Sequence, residues 1–132
     1  MSEAVQTLLA MQTWAVVGLS QNRSRAAYDV AKFLQGNGKR IVPVHPSAGE
    51  VHGEPGYQTL ADIPFPVDVV DCFVRSELVG PVVDQAIAIG AKGIWLQLGV
   101  IDHAAARRAH DAGLIVVMDR CPKIDWWGFG PR

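Results

Sequence analysis

Thr13-Trp14-Ala15-Val16-Val17-Gly18-Leu19-Ser20-Gln21-Asn22-Arg23 is an apolar run that breaks into a glycine turn. A short apolar run ending in Gly and followed by Ser, Gln and Asn predicts a buried β-strand, over Trp14–Gly18, that feeds the start of a helix. That arrangement suits a phosphate, because the unpaired N–H groups and the dipole of the helix point at whatever occupies the turn. A dinucleotide fingerprint would put glycine at positions 18, 20 and 23. Only Gly18 is present; Ser20 and Arg23 take the other two places. The fold signal is strong, and the ligand it points to is not the usual dinucleotide.

Outward from this strand, strand-like and helix-like segments alternate. A short helix is expected over residues 2–11 and another over 24–37, where Ala26, Ala27, Val30, Ala31, Phe33 and Leu34 form an apolar face. Gly36-Asn37-Gly38 stops it. Arg40–Val44 reads as the second strand and ends in His45-Pro46. Residues 47–66 are rich in Gly and Pro and read as loop, with one helical turn at Thr59–Ile63. Val67–Val74 is the third strand; a helix from Ser76, its candidate cap, to Ile89 follows and stops at Gly90. Lys92–Gln97 is the fourth strand, Asp102–Ala112 a helix capped by Asp102, and Leu114–Met118 the fifth strand. Asp119–Arg132 is left as a tail, with Trp126 and Trp127 expected to close the core. Strands separated by helices imply right-handed βαβ units. The expectation is one Rossmann-like α/β domain over residues 1–132, with a mostly parallel five-stranded sheet and helices on both faces.

Bulk properties narrow the function. A chain of 132 residues suffices for one core without staples, and 49% hydrophobic with 19% charged residues is ordinary globular composition. A net charge of −1 lacks the broad basic surface of a nucleic-acid binder. No apolar run approaches the roughly 20 residues that span a membrane. The first residues carry Glu3 and lack the basic, apolar and cleavage regions of a signal peptide. Two cysteines, Cys72 and Cys121, are too few for a disulfide framework, so a cytoplasmic protein with reduced thiols is expected. His52, His103 and His110 show no ligand spacing, and no metal is expected.

In a parallel sheet of this kind ligands bind beyond the carboxyl ends of the strands. Those ends deliver Gly18, Ser20, Asn22 and Arg23, then Val44, His45 and Pro46, then Phe73, Val74 and Arg75, then Gln97 and Gly99, and finally Asp119, Arg120 and Cys121. An NAD site carries an Asp or Glu about 20 residues after the glycine loop to hold the ribose. Here Val44-His45-Pro46 stands there, while Arg23 and Arg25 offer cations. That suits a ligand with an extra phosphate near its ribose. NADP and coenzyme A both meet the description, and the single glycine tilts the choice towards coenzyme A.

Ala15-Val16-Val17-Gly18-Leu19-Ser20, Ile41-Val42-Pro43-Val44-His45-Pro46, Gly53, Ile94-Trp95-Leu96-Gln97-Leu98-Gly99 and Met118-Asp119-Arg120-Cys121-Pro122-Lys123 resemble, in this order, the small stand-alone CoA-binding proteins. These are similar to the nucleotide-binding domain of the succinyl-CoA synthetase α subunit. The resemblance runs from Thr13 to Ile124. It implies that Gly18, Ser20 and the adjoining loop face phosphates, and that Lys39 or Arg40, with Val44-His45-Pro46, flank the adenosine. It also implies that Phe73-Val74-Arg75 and Gln97-Leu98-Gly99 line the ligand's path. Family members often carry Asn where His45 stands, so an asparagine contact does not transfer. The phosphorylated histidine of the synthetase belongs to a domain outside this stretch.

No nucleophile–base–acid set can be assembled: Ser20 lacks a Gly-x-Ser-x-Gly elbow and no carboxylates pair at strand ends. The expectation is binding of coenzyme A or an acyl-CoA without turnover, with a protein partner or a second copy of the chain as further partners. The alternatives are an NADP-dependent oxidoreductase, a partner-dependent acyl-CoA ligase subunit, and a redox sensor in which Cys121, its pKa lowered by Arg120 and Lys123, forms a mixed disulfide with coenzyme A.

Overall fold

A computed structural model describes residues 2–131. Helix α1 (Ser2–Leu9) precedes strand β1 (Thr13–Val17); α2 (Ala26–Gly36) leads to β2 (Arg40–Val44). A single 3-10 turn, Leu60–Asp62, interrupts the long loop before β3 (Val69–Cys72). Then come α3 (Ser76–Ala88), β4 (Gly93–Leu96), α4 (His103–Asp111), β5 (Ile115–Val117) and α5 (Pro122–Phe129). The five strands form one sheet in the order β2-β1-β3-β4-β5, and every pairing is parallel. The expected architecture holds, and the sheet is parallel throughout.

The central strands are buried on both faces and β5 is half-buried at the sheet's edge, so apolar residues run on without alternation, and the side-chain period of two sorts them between two cores. Trp14, Val16, Ile41, Val69, Trp95 and Val117 pack beneath α1, α2 and α5. Ala15, Val42, Val44, Val70, Cys72, Ile94 and Leu96 pack beneath α3, α4 and the 3-10 turn. Trp14 and Trp95 are fully buried with ring centroids 5.7 Å apart. Each indole N–H is satisfied, donating to the Met11 carbonyl at 3.0 Å and to the Arg120 carbonyl at 2.8 Å respectively.

The structure departs from the sequence reading at the C-terminus. Residues 122–129, read as tail, form α5, started by Pro122 at the first helical positions. The period was hidden because Gly128 and the adjacent Trp126-Trp127 blur an apolar stripe. Trp126 is buried in the core, as expected, but Trp127 is 71% exposed. Ser76 is not the cap of α3; Arg75 takes that position without a side-chain hydrogen bond. Asp102 does cap α4, accepting from the Ala105 N–H at 3.0 Å. Among the described residues no helix is long and apolar enough to cross a membrane.

Candidate functional site

Strand β1 lies between β2 and β3, so the chain leaves it in one direction through α2 and returns on the other side at β3. The crevice of such a sheet forms at this reversal. Gly18 marks it. Its N–H donates to the Val44 carbonyl at 2.8 Å, and the Phe73 N–H donates to the Val17 carbonyl at 2.8 Å. The φ of Gly18 is +98°, and a Cβ added there would come within 2.5 Å of the Phe73 carbonyl oxygen. Glycine is therefore required by the crossing of two strand ends, with or without a ligand.

Beyond Gly18 the chain makes a longer loop than a three-glycine fingerprint would. Ser20 Oγ accepts from the Asn22 N–H at 3.2 Å, and Asn22 Oδ1 accepts from the Ser24 N–H at 3.0 Å and the Ser24 hydroxyl at 2.6 Å. These local bonds delay the helix until Ala26. Arg25 is the cap residue of α2 and provides no side-chain hydrogen bond; the Tyr28 N–H of the first turn donates to the Arg25 carbonyl at 3.1 Å.

A cleft of about 970 Å³ opens here. Of the residues named from sequence, Gly18, Ser20, Asn22 and Arg25 line it from the β1 loop, and Val44, His45 and Pro46 from the end of β2. Phe73, Val74 and Arg75 line it from the end of β3, and Gly99 from the end of β4. No carboxylate is among its lining residues, whereas Arg25, Arg75 and His45 are. The far wall was not anticipated: Thr59 and Leu60 from the 3-10 turn and Leu78, Val82 and Gln85 from α3. The last three recur at helical spacing, a signal present in the sequence that the sequence reading did not use. Leu78 is 53% exposed on this wall.

The loops around the cleft are pinned. The His45 N–H donates to the Tyr57 carbonyl at 3.0 Å, and His45 Nδ1 accepts from the Ser47 N–H at 3.1 Å, which leaves the Nε2 tautomer as the neutral form. Gly99, at φ +78°, donates its N–H to Asp119 Oδ1 at 2.7 Å. Asp119 itself sits at φ +60°, a conformation that Asp tolerates better than most residues. The Ser76 hydroxyl donates to the Gly99 carbonyl at 3.1 Å and accepts from the Ile101 N–H at 2.9 Å. Ser76 thus ties α3 to the β4 loop.

Four candidates lie elsewhere. Arg23 lines a smaller niche with Gln21, Tyr28, Glu50 and His52, its guanidinium 6.0 Å from the Tyr28 ring. Lys39 and Arg40 sit at the opposite end of β2 from Val44-His45-Pro46. Lys39 is 8% exposed with its Nζ 5.5 Å from the Trp126 ring, and burial pushes its pKa down against the opposing pull of Asp68. Arg40 stacks on Phe65 at 3.7 Å. Gln97 lines a side branch of the cleft, of about 300 Å³, beside Ser24, Arg25, Ala26 and Ala27.

Cys121 is 7% exposed and belongs to the core beneath α1, α2 and α5. It is absent from the cleft lining, and the cations expected to activate it are engaged elsewhere. Arg120 makes a two-point pair with Asp125 at 2.7 and 3.0 Å, and Lys123 pairs with Asp29. Cys72 is fully buried, and burial, then Asp71, pushes its thiol well up.

Comparison with known proteins agrees with this geometry. The family model described as a CoA binding domain matches residues 12–127. The chain is similar to the Bacillus subtilis (strain 168) protein YneT, with 32% identity over 123 residues covering 93% of this chain and 91% of that one. Its structure is similar to that of a hypothetical protein from Pyrococcus horikoshii OT3, at a TM-score of 0.92 and 35% identity, covering 98% and 92% of the two chains. It is also similar to part of the dinucleotide-forming acetyl-coenzyme A synthetase 1 of Ca. Korarchaeum cryptofilum, at a TM-score of 0.76 and 26% identity. That match covers 87% of this chain but 28% of the synthetase. With a cleft at the sheet's reversal point and a family match over most of its length, the chain belongs to the CoA binding domain family.

Proposed function

We propose that this protein binds coenzyme A or an acyl-CoA in the cleft at the β1–β3 reversal and does not transform it. The observation that carries the reading is the lining of that cleft: two arginines, an uncapped helix start and no carboxylate, continued by an apolar wall on α3. Phosphates suit the Gly18–Arg25 loop, where Arg25 stands on the cleft wall at the uncapped start of α2. The adenosine suits Val44-His45-Pro46, and the pantetheine arm runs along Phe73-Val74-Arg75 towards Gly99. Lys39 and Arg40 take no part in this reading, because they lie at the other end of β2. NADP is the weaker candidate, since the family match speaks for coenzyme A. Cys121 is a structural residue in this reading, for its thiol is buried away from the cleft.

Calorimetric titration with coenzyme A, dephospho-CoA and NADP tests the proposal. Binding of coenzyme A with weaker binding of the other two is expected; no heat and no shift in unfolding temperature with coenzyme A would sink it.

A second reading has one observation in its favour. The acetyl-coenzyme A synthetase similar to this chain is more than three times as long as the matched part, which covers 28% of it. A partner chain bearing the remaining machinery would make this protein a ligase subunit. Co-purification of such a partner supports that reading, and a lone homogeneous species that binds coenzyme A counts against it.

A further inference from the structure

Asp71 is fully buried in the middle of β3, and neither carboxylate oxygen has a hydrogen-bond partner. One further buried side-chain atom shares that condition among the described residues, the Oε1 of Gln97. The pairing register brings these together. Asp71 lies opposite Trp95 on β4, and the Gln97 N–H donates to the Cys72 carbonyl at 3.3 Å, extending the ladder past the strand end. Residues 71, 95 and 97 therefore share one face of the sheet, with Asp71 and Gln97 on the diagonal. Adjacent strands lie about 4.7–4.9 Å apart and rise about 3.3 Å per residue, which sets parallel-strand diagonal neighbours about 8 Å apart, within reach of two flexible polar side chains. Three oxygens that only accept cannot satisfy one another; a proton is needed.

We propose that Asp71 is a positioning residue for the cleft: its carboxyl group holds the carbonyl end of the Gln97 amide, so that the amide's NH2 end faces the side branch and donates to a phosphate oxygen of bound coenzyme A. The proposal rests on the coenzyme A reading above. The branch suits that role, because Gln97 shares it with the Arg25 cation and the start of α2, which no side chain caps. Burial pushes the Asp71 carboxyl well above the ordinary carboxylate range, with no charged group among the causes. The charged or titratable groups on the surrounding elements are Glu3 of α1, Arg25, Tyr28, Asp29 and Lys32 of α2, and Cys121, Lys123 and Asp125 of α5. Lys39 before β2, Asp68 before β3, Cys72 on β3 and Arg120 after β5 complete them. Arg120 and Asp125 are closed on each other, as are Lys123 and Asp29, and Lys39 lies over Trp126.

In the neutral state the Asp71 O–H donates to Gln97 Oε1. Once ionised, the carboxylate accepts from Gln97 Nε2 instead, and the amide turns its oxygen towards the branch, where it repels phosphate. Coenzyme A affinity should then fall about tenfold as Asp71 loses its proton, the equivalent of one charge-assisted hydrogen bond. Asp71→Asn keeps a donor for Oε1 and cannot ionise. Its affinity should stay at the neutral-state level as pH rises, while that of the wild type falls. Asp71→Leu, which supplies no donor, should bind about tenfold more weakly than Asp71→Asn. Titration of the coenzyme's own phosphates and thiol is common to all variants and drops out of the comparison.

Two measurements decide it. NMR of the ligand-free protein should show the Gln97 side-chain NH2 resonances moving with the Asp71 carboxyl signal as pH rises, and staying still in Asp71→Asn. Calorimetry should show the pH-dependent affinity of the wild type flattened in Asp71→Asn. Gln97 resonances indifferent to Asp71, or identical pH profiles for wild type and Asp71→Asn, overturn the proposal while leaving coenzyme A binding intact. Failure of the wild type to bind coenzyme A overturns the function proposed above and this role with it.

Discussion

At the scale of single residues, the charges of this protein divide into those that face the cleft and those that do not. Arg25 and Arg40 are both exposed arginines near the first strands, and sequence position already sets them at opposite ends of the sheet. The structure sets Arg25 at the start of α2 on the cleft wall and stacks Arg40 on Phe65 at the far end of β2. Arg25→Ala should weaken coenzyme A binding by about 1.5–3 kcal/mol, the range for a hydrogen bond to a charged group. Arg40→Ala should leave it unchanged within error; calorimetry on the two variants checks the contrast. Asp71 belongs to this scale too. Its carboxyl is raised by burial, so the native state keeps a proton that the unfolded chain has already released. The folded protein then binds more protons than the unfolded, and stability falls as pH climbs from the ordinary carboxylate pKa through the raised native one. One retained proton corresponds to a slope of about 1.4 kcal/mol per pH unit. Asp71→Asn should abolish that contribution, which denaturant unfolding of both proteins at several pH values will read.

At the scale of elements, the turn after β1 is the point where fold and site demand the same residue. Gly18 has both a left-handed φ and a carbonyl oxygen in the place of a Cβ. Gly90, behind α3, has φ +73° and open space around it. Gly90→Ala should therefore cost only the conformational penalty, about 1–2 kcal/mol. Gly18→Ala should cost more, about 3 kcal/mol or above once overpacking is added, and should also disturb coenzyme A binding. Urea unfolding of the two variants separates these effects. The two elements that the sequence reading handled least well are instructive. Helix α5 has too little periodicity to announce itself, because it is held by contacts with α1 and α2 rather than by an amphipathic stripe of its own. Ser76 has the composition of a cap, but its hydroxyl is drawn to Gly99 and Ile101, residues far away in the chain.

At the scale of the whole molecule, a parallel sheet with two covered faces leaves its strand ends as the place where loops can gather around a ligand. A ligand held between the β1, β2, β3 and β4 loops ties several elements together and should stabilise all of them at once. At one hundred times its Kd, coenzyme A should raise the unfolding free energy by about 2.7 kcal/mol. Differential scanning calorimetry with and without the ligand tests this, and an unfolding temperature indifferent to saturating coenzyme A would contradict it.

Local pattern was enough for much of this protein. Apolar runs bounded by glycine and proline announced five strands, and the helices between them pointed to a mostly parallel sheet, which the structure makes parallel throughout. That Gly18, Ser20, Asn22, Val44–Pro46, Phe73–Arg75 and Gly99 line the cleft followed from strand ends alone, since the topology of such sheets dictates where those ends point. Distance across the fold was not legible in that way. The α3 wall of the cleft, the removal of Cys121 into the core, the stacking of Arg40 on Phe65 and the burial of Asp71 without a hydrogen-bond partner all depend on which segments pack against which. Strand order and register decide those encounters, because contacts between residues far apart in the chain arise only when the sheet and its helices close around them.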